Sequence, residues 1–183
     1  MHEQETYSVE IAGVKRDLRL FAVKPGLKIA ILNILGDTEL VQACAKELAG
    51  RLKDIDFDVL VTAEAKSIPL AYALSVETKK PYVILRKTYK SYMGDALKAE
   101  TLSITTGQPH TLILDEKDRE LLKGRKVVIL DDVISTGSTL QGMRQILDQA
   151  GASVVAEAAI FTEGDSAELA GIISLGHLPL FTE

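Results

Sequence analysis

Apolar residues along the chain gather into short dense runs separated by stretches of helical periodicity, the alternation expected when buried strands and amphipathic helices take turns. Phe57–Ala63, Pro81–Leu85, Val127–Leu130 and Ser153–Phe161 are rich in Val, Ile, Leu and Ala with few polar interruptions. Such runs read as strands covered on both faces, the habit of a parallel sheet. Between them, Thr38–Leu52 places Leu40, Ala43, Cys44, Leu48 and Leu52 on one helical face behind Asp37, a good N-cap, and Ile68–Leu74 reads as a second helix. A third helix starts at Ser138 and aligns Leu140, Met143 and Leu147, while Asp115–Gly124 is a short charged helix with a glycine stop. The predicted fold class is α/β, a central mostly parallel sheet flanked by helices.

Other stretches follow a different rhythm. Tyr7–Ile11 alternates, Ala12-Gly13 supplies a turn and Leu18–Val23 follows, which predicts a hairpin or two short strands. Lys28–Leu35, after the Pro25-Gly26 break, is a further strand candidate. The sequence turns polar from Thr88, and Thr101–Thr106, Gly107-Gln108-Pro109 and His110–Leu114 then read as a second hairpin. Ile172–Phe181 predicts a terminal edge strand, where Pro179 is tolerated.

A chain of 183 residues with 46% hydrophobic side chains suits one compact domain over residues 1–183. Its net charge of -5 argues against nucleic acid or an anionic membrane as main partner, while leaving room for a local basic pocket. The single cysteine, Cys44, excludes a disulfide framework within the chain and reads as a buried thiol. No signal-peptide pattern opens the sequence and no stretch is long and apolar enough to span a bilayer, so a cytoplasmic protein is expected. His2, His110 and His177 show no metal-ligand spacing, and none is favoured as a catalyst.

The chemistry concentrates in Val127–Thr139. The apolar strand delivers Asp131 and Asp132 to its carboxyl end, where open α/β sheets bind ligands. Ser135, Thr136, Gly137, Ser138 and Thr139 then lead into a helix N-terminus, so backbone N–H groups, hydroxyl donors and the helix dipole converge on an anion site. Two adjacent carboxylates would repel an anion; they suit vicinal sugar hydroxyls or a metal. A phosphorylated sugar held at both ends meets both demands. Glu64-Ala65-Lys66-Ser67 and Arg86-Lys87 also follow predicted strands, and three strands ending in charged residues suit one shared site, although a solvated loop lysine and a surface pair are the plainer readings.

Val127–Thr139 resembles, at every position, the phosphoribosyl pyrophosphate (PRPP) signature of the type I phosphoribosyltransferases, and looks most like the purine branch that includes the adenine enzymes. Neither a P-loop Gly-Lys-Ser/Thr nor a Gly-x-Gly-x-x-Gly is present. The resemblance implies transfer of the phosphoribosyl group from PRPP to a purine, adenine foremost, with release of pyrophosphate. Asp131 and Asp132 would engage the ribose hydroxyls, and Ser135, Thr136, Gly137, Ser138 and Thr139 the 5′-phosphate. Glu64, Ala65, Lys66, Ser67, Arg86 and Lys87 would meet the pyrophosphate, with Ser67 standing where glycine is common. Magnesium would be held through PRPP with no direct protein ligand. Residues 1–27 would build a hood over the base and residues 88–114 a flap; an edge hairpin is an equal reading of the first. The Glu-Tyr-Gly stretch usual in the adenine enzymes' flap is absent, and Tyr92, Lys98 and Glu100 are the nearest substitutes. Phe161 and Glu163 would lie within reach of the base, Phe161 equally well as core. A homodimer is the family expectation. A transferase for xanthine or another base, and a non-catalytic PRPP or nucleotide sensor, are the alternatives.

Overall fold

The computed structural model describes residues 5–102 and 108–182. His2 and the segment 103–107 of the second predicted hairpin lie outside the described residues. Strands β1 (Thr6–Ile11) and β2 (Val14–Lys24) form the first predicted hairpin. They are joined by Ala12 and Gly13 at φ 50° and 76°, the left-handed pair that matches the twist of a two-residue turn. Strand β3 (Leu27–Ile31) pairs antiparallel with β2. The strand predicted to reach Leu35 stops at Ile31 because the chain folds on itself: Leu35 N–H donates to Asn33 Oδ1 and Asp37 N–H to the Ile34 carbonyl. Helix α1 (Thr38–Leu52) follows, capped by Asp37, whose Oδ1 accepts from Leu40 N–H. Arg16 of β2 grips the same carboxylate through two nitrogens at 2.8 and 2.9 Å, tying the antiparallel strands to the helix.

The remaining elements are β4 (Val59–Ala63), α2 (Ile68–Thr78), β5 (Tyr82–Leu85), β6 (Leu97–Leu102), β7 (Pro109–Leu114), α3 (Glu116–Leu122), β8 (Lys126–Ile134), α4 (Ser138–Gln149), β9 (Ser153–Glu163), β10 (Ile173–Leu178) and β11 (Phe181–Thr182). Five of them make the central sheet in the order β10-β9-β8-β4-β5, every neighbour parallel. The predicted tail strand is two: β10 lies on the edge of this sheet, and past Pro179 the chain crosses to β11, which pairs with β3. Proline has no N–H to give either ladder, and the break falls there.

The sheet order fixes where a ligand can bind. From β4 the chain passes through α2 to β5 on one side, and from β8 through α4 to β9 on the other, so the direction of winding reverses between β4 and β8. Such a switch point opens a crevice at the carboxyl ends of the two strands. Pairing between β4 and β8 runs only from Val59↔Val127 to Val61↔Ile129, whereas β8 stays paired with β9 as far as Ile134↔Thr162. Asp131 and Asp132 therefore sit on a continuing strand whose β4 side has opened.

Both faces of the sheet are covered. Val128 and Leu130 of β8 enter one core with Leu40, Leu48, Leu70 and Leu74 from α1 and α2; Val127 and Ile129 enter the other with Leu140, Met143, Ile146 and Leu147 from α4. Cys44 is fully buried in the first core, and burial pushes its thiol up to about 12, consistent with an unreactive packing residue. The hairpin of β6 and β7 packs on α4 at Gly142, where a Cβ would collide with the Thr101 methyl group and stand 3.2 Å from Leu112 Cδ1. Gly142→Ala should therefore keep the fold but loosen the hairpin, overpacking costing about 1–3 kcal/mol against roughly 1 kcal/mol regained in helix propensity. Amide exchange should quicken in β6 and β7 and stay slow in α1; unchanged exchange in the hairpin would show that this contact does not seat it.

Candidate active site

Two loops face each other across the crevice, and one hydroxyl joins them. Ser67, 2% exposed, donates from Oγ to Asp131 Oδ1 at 2.8 Å and accepts from Asp132 N–H at 3.0 Å. Asp132 N–H is shared with Asp131 Oδ1 at 2.8 Å. The glycine common at this position is not needed: Ser67 has φ −85°, an ordinary right-handed value, and its side chain is what fixes the loop to β8. Lys66 Nζ lies 3.6 Å from Asp132 Oδ2, and Ala65 beside it is exposed, its peptide with Glu64 being cis.

Asp131 is half-buried and Asp132 buried, and among the described residues no arginine pairs with either. Loss of solvent, followed by the neighbouring Asp132 carboxylate, raises the Asp131 carboxyl to about 8. Asp131 thus resists ionisation where it stands, and a cation or hydroxyl donors brought to it would favour the ionised form.

The strand end at β5 is organised by Glu64. Its carboxylate accepts from Arg86 Nε at 2.9 Å and from Lys87 N–H at 2.6 Å. Burial opposes ionisation of Glu64, but the Lys87 N–H and the Arg86 guanidinium outweigh it and hold the group below the usual carboxylate range. Glu64 thereby aims Arg86 and leaves Lys87 exposed. Arg86 also exchanges two backbone hydrogen bonds of 2.8 Å with Ile113, so the β6–β7 hairpin is rooted at this cation. Tyr92, 72% exposed, adds to the Glu64 contact in raising the Arg86 guanidinium. Lys98 caps the Tyr89 ring at 4.5 Å, and Glu100 is exposed on the same face of β6.

Ser135–Thr139 curls round the start of α4, with Gly137 at φ +78°. A Cβ at Gly137 would stand 2.9 Å from Cβ of Glu168, which itself pairs with Arg144 of α4 at 3.3 Å. Asp37 and Asp115 cap α1 and α3 with their side chains, whereas α2 and α4, whose N-termini both face the crevice, have no side-chain cap. In α2, Ile68 N–H donates to the Ala65 carbonyl at 3.2 Å and Pro69 has no N–H to give, so the start of α4 is the end that offers backbone amides to a ligand. Asp131, Val133 and the loop enclose a cavity of about 190 Å³, and His110 of β7 forms its remaining wall. Reading the sequence alone passed over His110; its place opposite the loop depends on hairpin register, which no local pattern displays.

The structure thus brings Glu64, Lys66, Ser67, Arg86, Asp131, Asp132 and Ser135–Thr139 to one crevice. Phe161 and Glu163 stand further along β9. The Phe161 ring is 3% exposed and packs against Gly176, so it is given to the core. Glu163 is 8% exposed at the strand's end, and burial raises its carboxyl.

Residues 31–170 match the phosphoribosyl transferase domain. The chain belongs to that family. A hypoxanthine/guanine phosphoribosyltransferase of Methanothermococcus okinawensis is 34% identical over 134 residues, 73% of this chain and 69% of its own. An orotate phosphoribosyltransferase of Archaeoglobus fulgidus is 31% identical over 128 residues, 70% of this chain and 61% of its own. The purine biosynthesis transcriptional repressor of Bacillus subtilis is 31% identical over 132 residues, 72% of this chain and 46% of its own. The chain thus spans less than two thirds of the last two relatives. Other relatives are named as xanthine and adenine phosphoribosyltransferases. In fold, the APRTase of Giardia lamblia complexed with 9-deazaadenine superposes with a TM-score of 0.74 at 20% identity, covering 87% of this chain and 93% of that one. The parallel sheet and its helices are those of a type I phosphoribosyltransferase.

The raised Asp131 carboxyl makes stability depend on pH in a stated direction. A folded-state value above the ordinary 3.8 gives a contribution that is complete below about pH 3.8 and lost as pH climbs through about 8. Asp131→Asn keeps the acceptor for Ser67 and cannot ionise. Its melting temperature should exceed that of the wild type by a gap that widens from pH 4 to 8 and then levels, at about 2–4 °C per kcal/mol for a chain of this size. A gap that narrows with rising pH would contradict the assignment.

Proposed function

We propose that the protein transfers the 5-phosphoribosyl group from PRPP to a purine, adenine foremost, releasing pyrophosphate. The observation that supports this is the pairing of Ser67 with Asp131 and Asp132: it holds two adjacent carboxylates beside the N-terminus of α4, which lacks a side-chain cap. Asp131 and Asp132 accept the ribose 2′- and 3′-hydroxyls, and Ser135–Thr139 with the first amides of α4 receives the 5′-phosphate. Lys66, Arg86 and Lys87, with the amides of Ala65 and Ser67, take the pyrophosphate, while Glu64 positions Arg86 for it. The bond from the anomeric carbon to the pyrophosphate oxygen breaks, the bond to the base nitrogen forms, and the base gives up a proton. The protein's part is placement and charge: anion donors at both phosphorylated ends, carboxylates below the ring where positive charge grows, and no covalent nucleophile.

Asp131 and Asp132 would stand beside a magnesium ion held through PRPP, and two carboxylates alone would not make a full protein cage for it. Bound with PRPP, the ion would offset negative charge on the departing pyrophosphate. The β6–β7 hairpin with Tyr92, Lys98 and Glu100 serves as a flap that excludes water, and the sheet of β1, β2, β3 and β11 as the hood above the base. Glu163, uncharged when protonated, is the polar group assigned to the base, with Phe161 behind it. The adenine preference draws on the likeness of fold to the adenine enzymes, while relatives acting by name on hypoxanthine, guanine, xanthine and orotate mark acceptor choice as the variable part. The same reading makes the protein a cytoplasmic homodimer, with Leu35, Tyr72, Val76 and Tyr82 as exposed apolar side chains available to a partner.

The kinship with a transcriptional repressor favours a second reading, a sensor that binds PRPP without turning it over. Incubation with PRPP, magnesium and a panel of bases, followed by pyrophosphate release, separates the two. Release with adenine, reduced by at least about 100-fold in Asp132→Asn, is the expected result. Release only with another base reassigns the acceptor, and PRPP binding without release under any base would establish the sensor.

A further inference from the structure

The cavity beside the phosphate loop has an unusual charge balance. A phosphate monoester brings nearly two negative charges at neutral pH, yet among the described residues none of the side chains lining this 190 Å³ space is a lysine or an arginine. Its walls hold one acid, Asp131, and one side chain able to carry positive charge, His110. His110 comes from β7, where it pairs with Thr101 of β6, and Thr101 Oγ1 donates to the His110 carbonyl at 3.4 Å. Thr101 is in turn the residue seated against Gly142, on the same helix whose N-terminus forms the phosphate loop. Helix α4 therefore carries both the loop and the seat of the strand pair that holds His110 opposite it.

We infer that His110 is a ligand for the 5′-phosphate, donating a ring N–H from the flap to the anion held by Ser135–Thr139. Whichever tautomer or protonation form is present, the imidazole has at least one N–H to give. The contact makes the phosphate a tether: with sugar phosphate bound, the flap is pinned at its root through Arg86 and at its far side through His110, and the reacting centre between them is closed to water. The inference rests on the phosphoribosyl reading of the site and assigns a residue that the sequence set aside.

The test titrates wild type, His110→Ala and His110→Arg with ribose 5-phosphate and, separately, with magnesium pyrophosphate. His110→Ala should bind ribose 5-phosphate about ten-fold more weakly, the size of one lost hydrogen bond to a charged group, with its pyrophosphate affinity unchanged. His110→Arg should restore ribose 5-phosphate binding. Undiminished ribose 5-phosphate binding in His110→Ala overturns the inference and leaves the phosphoribosyl reading standing. An equal loss for both ligands overturns it as well, by reducing His110 to a structural support of the flap. A wild type that binds pyrophosphate but no ribose 5-phosphate would end both.

Discussion

The hydroxyl of Ser67 is the point on which the site turns. It has one proton to give and uses it on Asp131, while its lone pairs take the amide of Asp132. The start of α2 is thereby fastened to the open side of β8, at the place where the sheet reverses its winding. Two carboxylates in sequence on a parallel strand would otherwise splay to opposite faces, as successive residues do. Held through one serine, they stay within a shared polar region, and the cost appears as a carboxyl that ionises reluctantly. Under the proposed function, ribose hydroxyls would add to the donors that Ser67 and Lys66 already give the pair.

The capping pattern follows the same logic. Aspartates close the N-termini of α1 and α3 with their side chains, and Arg16 reinforces one of those caps. The two helices that start at the crevice are left without side-chain caps; α2 uses its Ile68 N–H on the Ala65 carbonyl and has Pro69 next, whereas α4 turns amides and dipole toward whatever enters. Glu64 handles the third strand end differently, spending a carboxylate to orient a guanidinium. An acidic residue in an anion site is thus reconciled with its surroundings, because its charge is already met by Arg86 and an amide.

Much of this was legible in the sequence, for identifiable reasons. The run Val127–Leu130 had to be a two-sided strand, and Asp37 before Leu40, Cys44 and Leu48 had to open a helix, because period and cap are local properties. What stayed hidden depends on distant partners. Strand β3 ends early on account of an Asn33 side-chain bond, and the tail divides between two sheets because β9 and β3 each offer it an edge. Ser67 was visible only as a departure from glycine; that it holds two aspartates 64 and 65 residues away could be seen only once the strands were assembled. Gly142 and His110 belong to the same class, their meaning set by the register of a hairpin against a helix.

Whether Asp131 and Asp132 receive the sugar can be measured through the protons exchanged on binding. Calorimetric titration of magnesium PRPP at pH 7, in two buffers of different ionisation heat, reports protons exchanged on binding. Net release of a proton at pH 7, fading above about pH 8 and absent in Asp131→Asn, is the expected result. Binding heats independent of buffer in the wild type, together with magnesium PRPP affinity unchanged in Asp131→Asn, would contradict the place of the ribose in this crevice.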